Sequence, residues 1–97
     1  MEIAFSGRVF QWRGPAPYYY VAVPEDDSAD IKADEPILSY GWGCIPVSAT
    51  VGGTEFTTSL VPKDGLYLLP LKVAVRRAED IDDGDHIDVR LSLEPIA

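Results

Sequence analysis

The sequence predicts a mainly β domain of about six strands and two short helices. Ile87, Val89, Leu91 and Leu93 alternate with Asp88, Arg90, Ser92 and Glu94, the period-two pattern of a half-buried strand. Gly52-Gly53 separates two β-rich runs as a two-residue hairpin signal. After Leu71, within one phrase from Thr57 to Ala78, the hydrophobic period lengthens from that of a strand to that of a helix.

Taken in order, Ile3 to Trp12 reads as the first strand. Ile3, Phe5 and Val9 share one face, and Phe10 and Trp12 belong to the other. Gly7, near that change of phase, suggests a bulge or a bend. Arg13-Gly14-Pro15-Ala16-Pro17 is a loop, because its prolines cannot donate to a ladder. Tyr18 to Val23 is apolar or aromatic throughout and favours a strand. Pro24 opens a helix with Glu25, Asp26 and Asp27 in its first turn, where carboxylates meet the positive end of the dipole. That helix is expected to reach about Ala33 and to stop before Pro36. Ser39 to Cys44 is a loop.

Ile45 to Val51 and Thr54 to Val61 form the arms of the Gly52-Gly53 hairpin, and Pro62-Lys63-Asp64-Gly65 reads as the next tight turn. Leu66 to Leu71 is a strand in which Pro70 marks an edge or an end. Lys72 to Asp80 reads as a helix with Leu71, Val75 and Ala78 on one stripe. Ile81 to Asp85 then turns into the last strand.

The bulk numbers bound the function. A chain of 97 residues makes one domain, 1–97. With 16 acidic against 8 basic residues the net charge is −8. That disfavours nucleic acid, whose nonspecific affinity comes from displacing counterions with Lys and Arg, and it disfavours anionic membranes. The single cysteine, Cys44, excludes an intramolecular disulfide and fits a reducing compartment. No basic and apolar leader opens the sequence, and no apolar run approaches the roughly 20 residues of a membrane span. A soluble, cytoplasmic protein is expected.

The order Thr-Ser-Leu-x-Pro from Thr58, Gly-x-Tyr-x-Leu-Pro-Leu-Lys from Gly65, Val-Arg-Arg-Ala from Val75 and Gly84-Asp85, with Tyr20 to Pro24 upstream, resembles the prokaryotic domain-of-unknown-function family DUF1905. The resemblance implies a small closed or pseudo β-barrel with its two short helices, at about 24–33 and 72–80, capping the ends. It also implies kinship with the double-split barrels of AbrB- and MazE-like proteins. It implies no activity, and no site residue transfers from it.

Several constellations remain to be weighed. Glu79 to Asp85 invites a calcium loop, but with Gly84 at its sixth place the third would be Ile81 and the twelfth Arg90; a solvated acidic turn is the better reading. Lys63, Lys72, Arg76 and Arg77 concentrate the positive charge. Lys72 and Arg76, four apart, offer a grip for a phosphate or carboxylate near Ser59 or Tyr67. The plainer reading is a charged helix face with Arg76 and Asp80 paired, and it carries more weight. Trp12, Tyr18, Tyr19, Tyr20, Tyr40 and Trp42 enrich the N-terminal half in rings, which serve as core or, if exposed, stack on a base, a sugar or a partner's proline.

Catalysis has thin support, because one histidine, His86, and one cysteine supply neither a nucleophile motif nor a zinc ligand set. Gly41-Trp42-Gly43-Cys44 lacks the pattern of a nucleotide loop. The expected function is a non-catalytic ligand-binding or protein-interaction module. Ser59, Tyr67, Lys72, Arg76 and Trp42 are its candidate residues, and a small anionic ligand or a protein is its partner. A DNA-linked regulator or antitoxin-like protein, by barrel analogy, ranks second and an enzyme third. No cofactor or metal is expected, and the chain is expected to be a monomer or homodimer.

Overall fold

The computed structural model describes residues 1–14, 18–39, 41 and 43–94. Among them the order is β1 (Glu2–Trp12), β2 (Tyr18–Ala22), α1 (Glu25–Ala33), α2 (Glu35–Leu38), β3 (Ile45–Val51), β4 (Thr54–Lys63), β5 (Leu66–Pro70), α3 (Val73–Ala78) and β6 (His86–Ser92). The strands close into a barrel in the order β1-β2-β5-β4-β3-β6, and every neighbouring pair is antiparallel. The expected mainly β barrel of six strands is found.

The interior is filled by alternate residues of every strand, as the period of two requires. Val9, Val21, Ile45, Ala49, Leu60, Leu69, Val89 and Leu91 are all essentially inaccessible to solvent. At the end where Met1 pairs with Leu93, α1 and α2 cover the core with Ile31 and Leu38. Leu71 and Val75, at the start of α3, are buried near the other end.

Four local expectations change. Of the bulge or bend expected at Gly7 there is no bulge, since its register runs unbroken through Ser6↔Asp88, Gly7↔Ile87 and Arg8↔His86; the strand passes from β6 to β2 just beyond it, between Arg8 and Val9. Pro36 does not end the helical region. It sits in the first turn of a third helix, α2, where a missing N–H costs nothing. The turn read at Pro62-Lys63-Asp64-Gly65 is shorter than expected. Pro62 and Lys63 extend β4 and pair with Tyr67 and Leu66, which leaves Asp64-Gly65 as a two-residue loop. Both of its residues have positive φ, 52 and 82°, as a type I′ turn needs. Finally, α3 starts at Val73, with Lys72 extended before it, and Ala78 is exposed, not part of the buried stripe. The expected loop at Pro15–Pro17 lies outside the described residues.

The glycine at position 7 answers a packing demand. A Cβ there would lie 2.6 Å from Cγ2 of Val21, a fully buried and rotationally stiff side chain. Gly7→Ala is expected to destabilise the domain by about 1–3 kcal/mol through overpacking, lowering Tm by about 4–8 °C for each kcal/mol. Thermal unfolding followed by circular dichroism measures this, and an unchanged Tm would show that the wall has slack at this point.

Candidate functional site

Of the five residues expected to act together, the four described ones are dispersed by the barrel. Tyr67, near the start of β5, points inward and is only 3 % exposed. Its hydroxyl donates to Glu35 Oε1 of α2 at 2.7 Å. Lys32 Nζ reaches the same carboxylate at 3.4 Å. Nearby, Ser28 Oγ donates to the Val23 carbonyl and accepts from the Tyr67 N–H. These bonds tie the α1–α2 cap to the barrel mouth.

Arg76 lies beyond the other end of β5. Its guanidinium carbon is 3.8 Å from the centroid of the Tyr19 ring, and its buried Nε has no hydrogen-bond partner among the described residues. Glu79, one turn on, accepts from Thr54 Oγ1 at 2.6 Å. The expected Arg76–Asp80 pair is not among the ion pairs of the described residues, since Asp80 has left the helix with a φ of 53°. Tyr67 and Arg76 thus brace opposite caps, about 13 Å apart along the intervening strand. Ser59 and Lys72 sit on the outer surface, and Trp42 and Tyr40 lie outside the described residues.

Other chemistry is equally dispersed. Among the described residues no group of three or more His, Cys, Asp or Glu side chains is placed to hold a metal. Cys44 precedes β3, whose Ser48 stands opposite Ser92, whereas His86 opens β6, about 20 Å from Ser92 along the strand. No helix among the described residues is long and apolar enough to cross a membrane.

The outer wall is what sets this barrel apart. On β1 and β6 the outward positions include Ser6, Arg8, His86, Asp88, Arg90 and Ser92, and on β3 Ser48 and Thr50, polar as water demands. A cleft of about 690 Å³ on this side is lined by Ser6, Thr50, Asp88 and Arg90 among others. Its Ser6 hydroxyl and Asp88 carboxylate are already bonded to each other.

The remaining half is different. Outward positions there are Phe10 and Trp12 on β1, Tyr18, Tyr20 and Ala22 on β2, Leu66, Leu68 and Pro70 on β5, and Val61 and Lys63 on β4. The registers Phe10↔Tyr20↔Pro70 and Ala22↔Leu68↔Val61 align them into one surface.

Phe10, Tyr20 and Tyr18 pack as tilted rings with centroids 6.1 and 5.6 Å apart, a favourable geometry for aromatic pairs. Trp12 and Val61 remain 43 % and 36 % exposed. Lys63 Nζ lies 4.2 Å from the centroid of the Trp12 ring, although β2 and β5 stand between their strands. Leu68, on the outer face of β5, is 6 % exposed and lies outside the core cluster. A cleft of about 310 Å³ adjoins this surface at the β4–β5 turn, lined by Lys32, Pro62, Lys63, Leu66 and Tyr67 among others.

The sequence profile of the family described as Domain of unknown function (DUF1905) matches residues 5–91. The chain belongs to this family. No curated protein matches it. The DUF1905 match spans all six strands and the three helices apart from the ends of β1 and β6, so it covers the whole wall. The sequence shows the rings but does not gather them onto one surface. One signal was available: segments 8–12, 18–24, 59–63 and 66–72 contain no Asp or Glu in a chain that has 16.

The Tyr67–Glu35 bond makes a prediction about pH. Burial first, and then donation to Glu35, pushes the Tyr67 phenol above its ordinary 10.0. The accepted Tyr67 bond, with help from Lys32 and against desolvation, holds Glu35 below its ordinary 4.5. The tyrosine's contribution is complete below pH 10.0 and is lost as pH rises through its folded value. The glutamate's contribution is present above pH 4.5 and is lost as pH falls through its folded value. The stability gap between wild type and Tyr67→Phe is expected to be widest near neutral pH and to narrow toward both extremes. Urea midpoints measured across pH test this, and a constant gap would mean that the bond does not couple the cap to the barrel.

Proposed function

We propose that the domain is a non-catalytic interaction module that seats a segment of a partner protein on the aromatic outer wall. One observation carries this reading. On four adjacent strand segments the outward positions hold rings and aliphatic side chains where a solvated barrel calls for polar ones. The surface is contiguous and partly open, with Trp12 and Val61 exposed and the other rings and aliphatic side chains mostly half-buried, and outward apolar surface of this kind marks docking sites.

Its composition suits a polypeptide. The rings supply rigid, amphipathic area, and the aliphatic half supplies a hydrophobic bed. The hydroxyls of Tyr18 and Tyr20 and the indole N–H of Trp12 have no hydrogen-bond partner among the described residues, which leaves donors for a partner's backbone carbonyls. A second copy of the chain fits less well, because a wall-to-wall contact would bring like charges, Lys63 among them, into one interface. Catalysis gains no support from the wall, whose side chains include no nucleophile beside a base.

Peptides selected from a random displayed library on the immobilised domain test the reading. Trp12→Ala and Tyr20→Ala are each expected to weaken the selected peptides at least tenfold, about 1.4 kcal/mol. Thr50→Ser and Arg90→Ala, on the polar wall, should leave them unchanged. Failure to select any peptide, or peptides that respond only to the polar-wall substitutions, would overturn the proposal.

A further inference from the structure

We infer that the segment seated on this wall is acidic as well as apolar, with carboxylates spaced between hydrophobic side chains. The inference rests on the docking reading and adds the chemistry of the occupant. It comes from how charge is distributed over the barrel. Six of the 16 carboxylates lie between Glu25 and Glu35 at the α1–α2 end, and six lie between Glu79 and Asp88, in a segment whose Asp83 carboxylate accepts from the Gln11 N–H beside the wall. The four strand segments that build the wall hold none.

What they hold is positive. Lys63 stands in the wall itself. Lys72, with φ −63 and ψ 151°, is still extended, so it continues the outward row of Leu66, Leu68 and Pro70 and is exposed. Arg13, also exposed, follows Trp12 directly. Arg8 extends the row of Phe10 and Trp12, but its guanidinium turns toward Gly84. Neither Lys63 nor Lys72 is in an ion pair among the described residues, where the pair found is Lys32–Glu35. In an otherwise acidic molecule, the apolar surface is thus bordered by cations that form no ion pair among the described residues, with Asp64 beside Lys63 in the turn and Asp83 on the Gln11 N–H as the carboxylates nearest the wall.

Electrostatic complementarity then chooses among occupants. A basic segment would set ammonium against ammonium at the rim. A nucleic-acid strand would find rings and cations, but the half of the wall made by Ala22, Leu66, Leu68 and Val61 offers no stacking surface, and a long polyanion would also meet the two acidic regions. A short acidic–apolar segment uses every part. Its hydrophobic side chains cover the aliphatic half, and its carboxylates take Lys63 and Lys72. The Lys63 ammonium, resting on the Trp12 ring in the free domain, exchanges that face for a carboxylate.

Fluorescence anisotropy with three labelled probes tests this. The first is a peptide of about ten residues, long enough to cross four strands, alternating Asp or Glu with Leu and Phe. The second replaces its acids with lysine, and the third is an oligothymidylate of the same length. On the wild-type domain the acidic peptide is expected to bind tightest and to weaken as salt is raised. The double variant Lys63→Glu/Lys72→Glu should weaken it at least about tenfold and strengthen the lysine peptide. Lys63→Gln/Lys72→Gln should weaken it without inviting the lysine peptide, and circular dichroism confirms that each variant folds.

A lysine peptide that binds the wild type as well as the acidic one would overturn the inference. If Trp12→Ala still abolished that binding, the docking wall itself would stand. Tightest binding by the oligothymidylate would replace the inference with a nucleic-acid surface, and no binding by any probe would end it. Acidic-peptide binding that ignores Trp12→Ala and Tyr20→Ala would sink the docking reading as well.

Discussion

The change of partner along β1 governs the rest of the structure. From Glu2 to Arg8 this strand pairs with β6, and from Val9 to Trp12 it pairs with β2; β4 makes the matching change from β3 to β5 after Leu60, and together the two strands join the halves of the sheet and close the barrel. Closure leaves no free sheet edge, and it sorts residues strictly into those that fill the interior and those that face out. The interior is satisfied by the inward set alone. What the outward set contains is therefore free of the demands of the core, and here it is polar on one half and aromatic on the other.

Polar side chains near the barrel mouths secure the caps. The Tyr67 hydroxyl and the Ser28 hydroxyl fasten the α1–α2 end, while Arg76 lies on Tyr19 and Glu79 holds Thr54 near α3. Residues that look chemically interesting in the sequence are thus used as struts. The chain's acidity is concentrated in the α1–α2 cap and the Glu79–Asp88 segment, while the strand segments of the aromatic wall hold no Asp or Glu.

How much of this was legible in the sequence depended on how local the physics was. Strand β6 showed itself through strict alternation, and the Gly52-Gly53 hairpin and α1 through their turn and first-turn residues. Where a proline had two possible meanings, the pattern misled: Pro36 begins α2, and Pro62 lies inside β4, with Asp64-Gly65 alone making the turn. Barrel closure came from the family resemblance and not from periodicity. The wall was hidden because Tyr18 to Val23 is apolar at every position, which erases the alternation that separates inside from outside. Only the registers that bring Phe10 beside Tyr20 and Leu68 beside Val61 gather it. The link between Tyr67 and Glu35, 32 residues apart, is likewise set by tertiary packing.

The pairing of β1 with β6 also has a kinetic meaning. The Ser6–Asp88 and Met1–Leu93 hydrogen bonds join groups 82 and 92 residues apart, whereas β4 and β5 meet across a two-residue turn. Loop-closure entropy places such distant pairings among the slow events of folding, on the order of milliseconds to seconds for barrels. Until β1 docks, the half-built sheet carries two open edges beside its aromatic surface, the combination most prone to intermolecular pairing. Like-charge repulsion from the helical end and from the Glu79–Asp88 turn opposes such pairing between chains whose barrel has not yet closed.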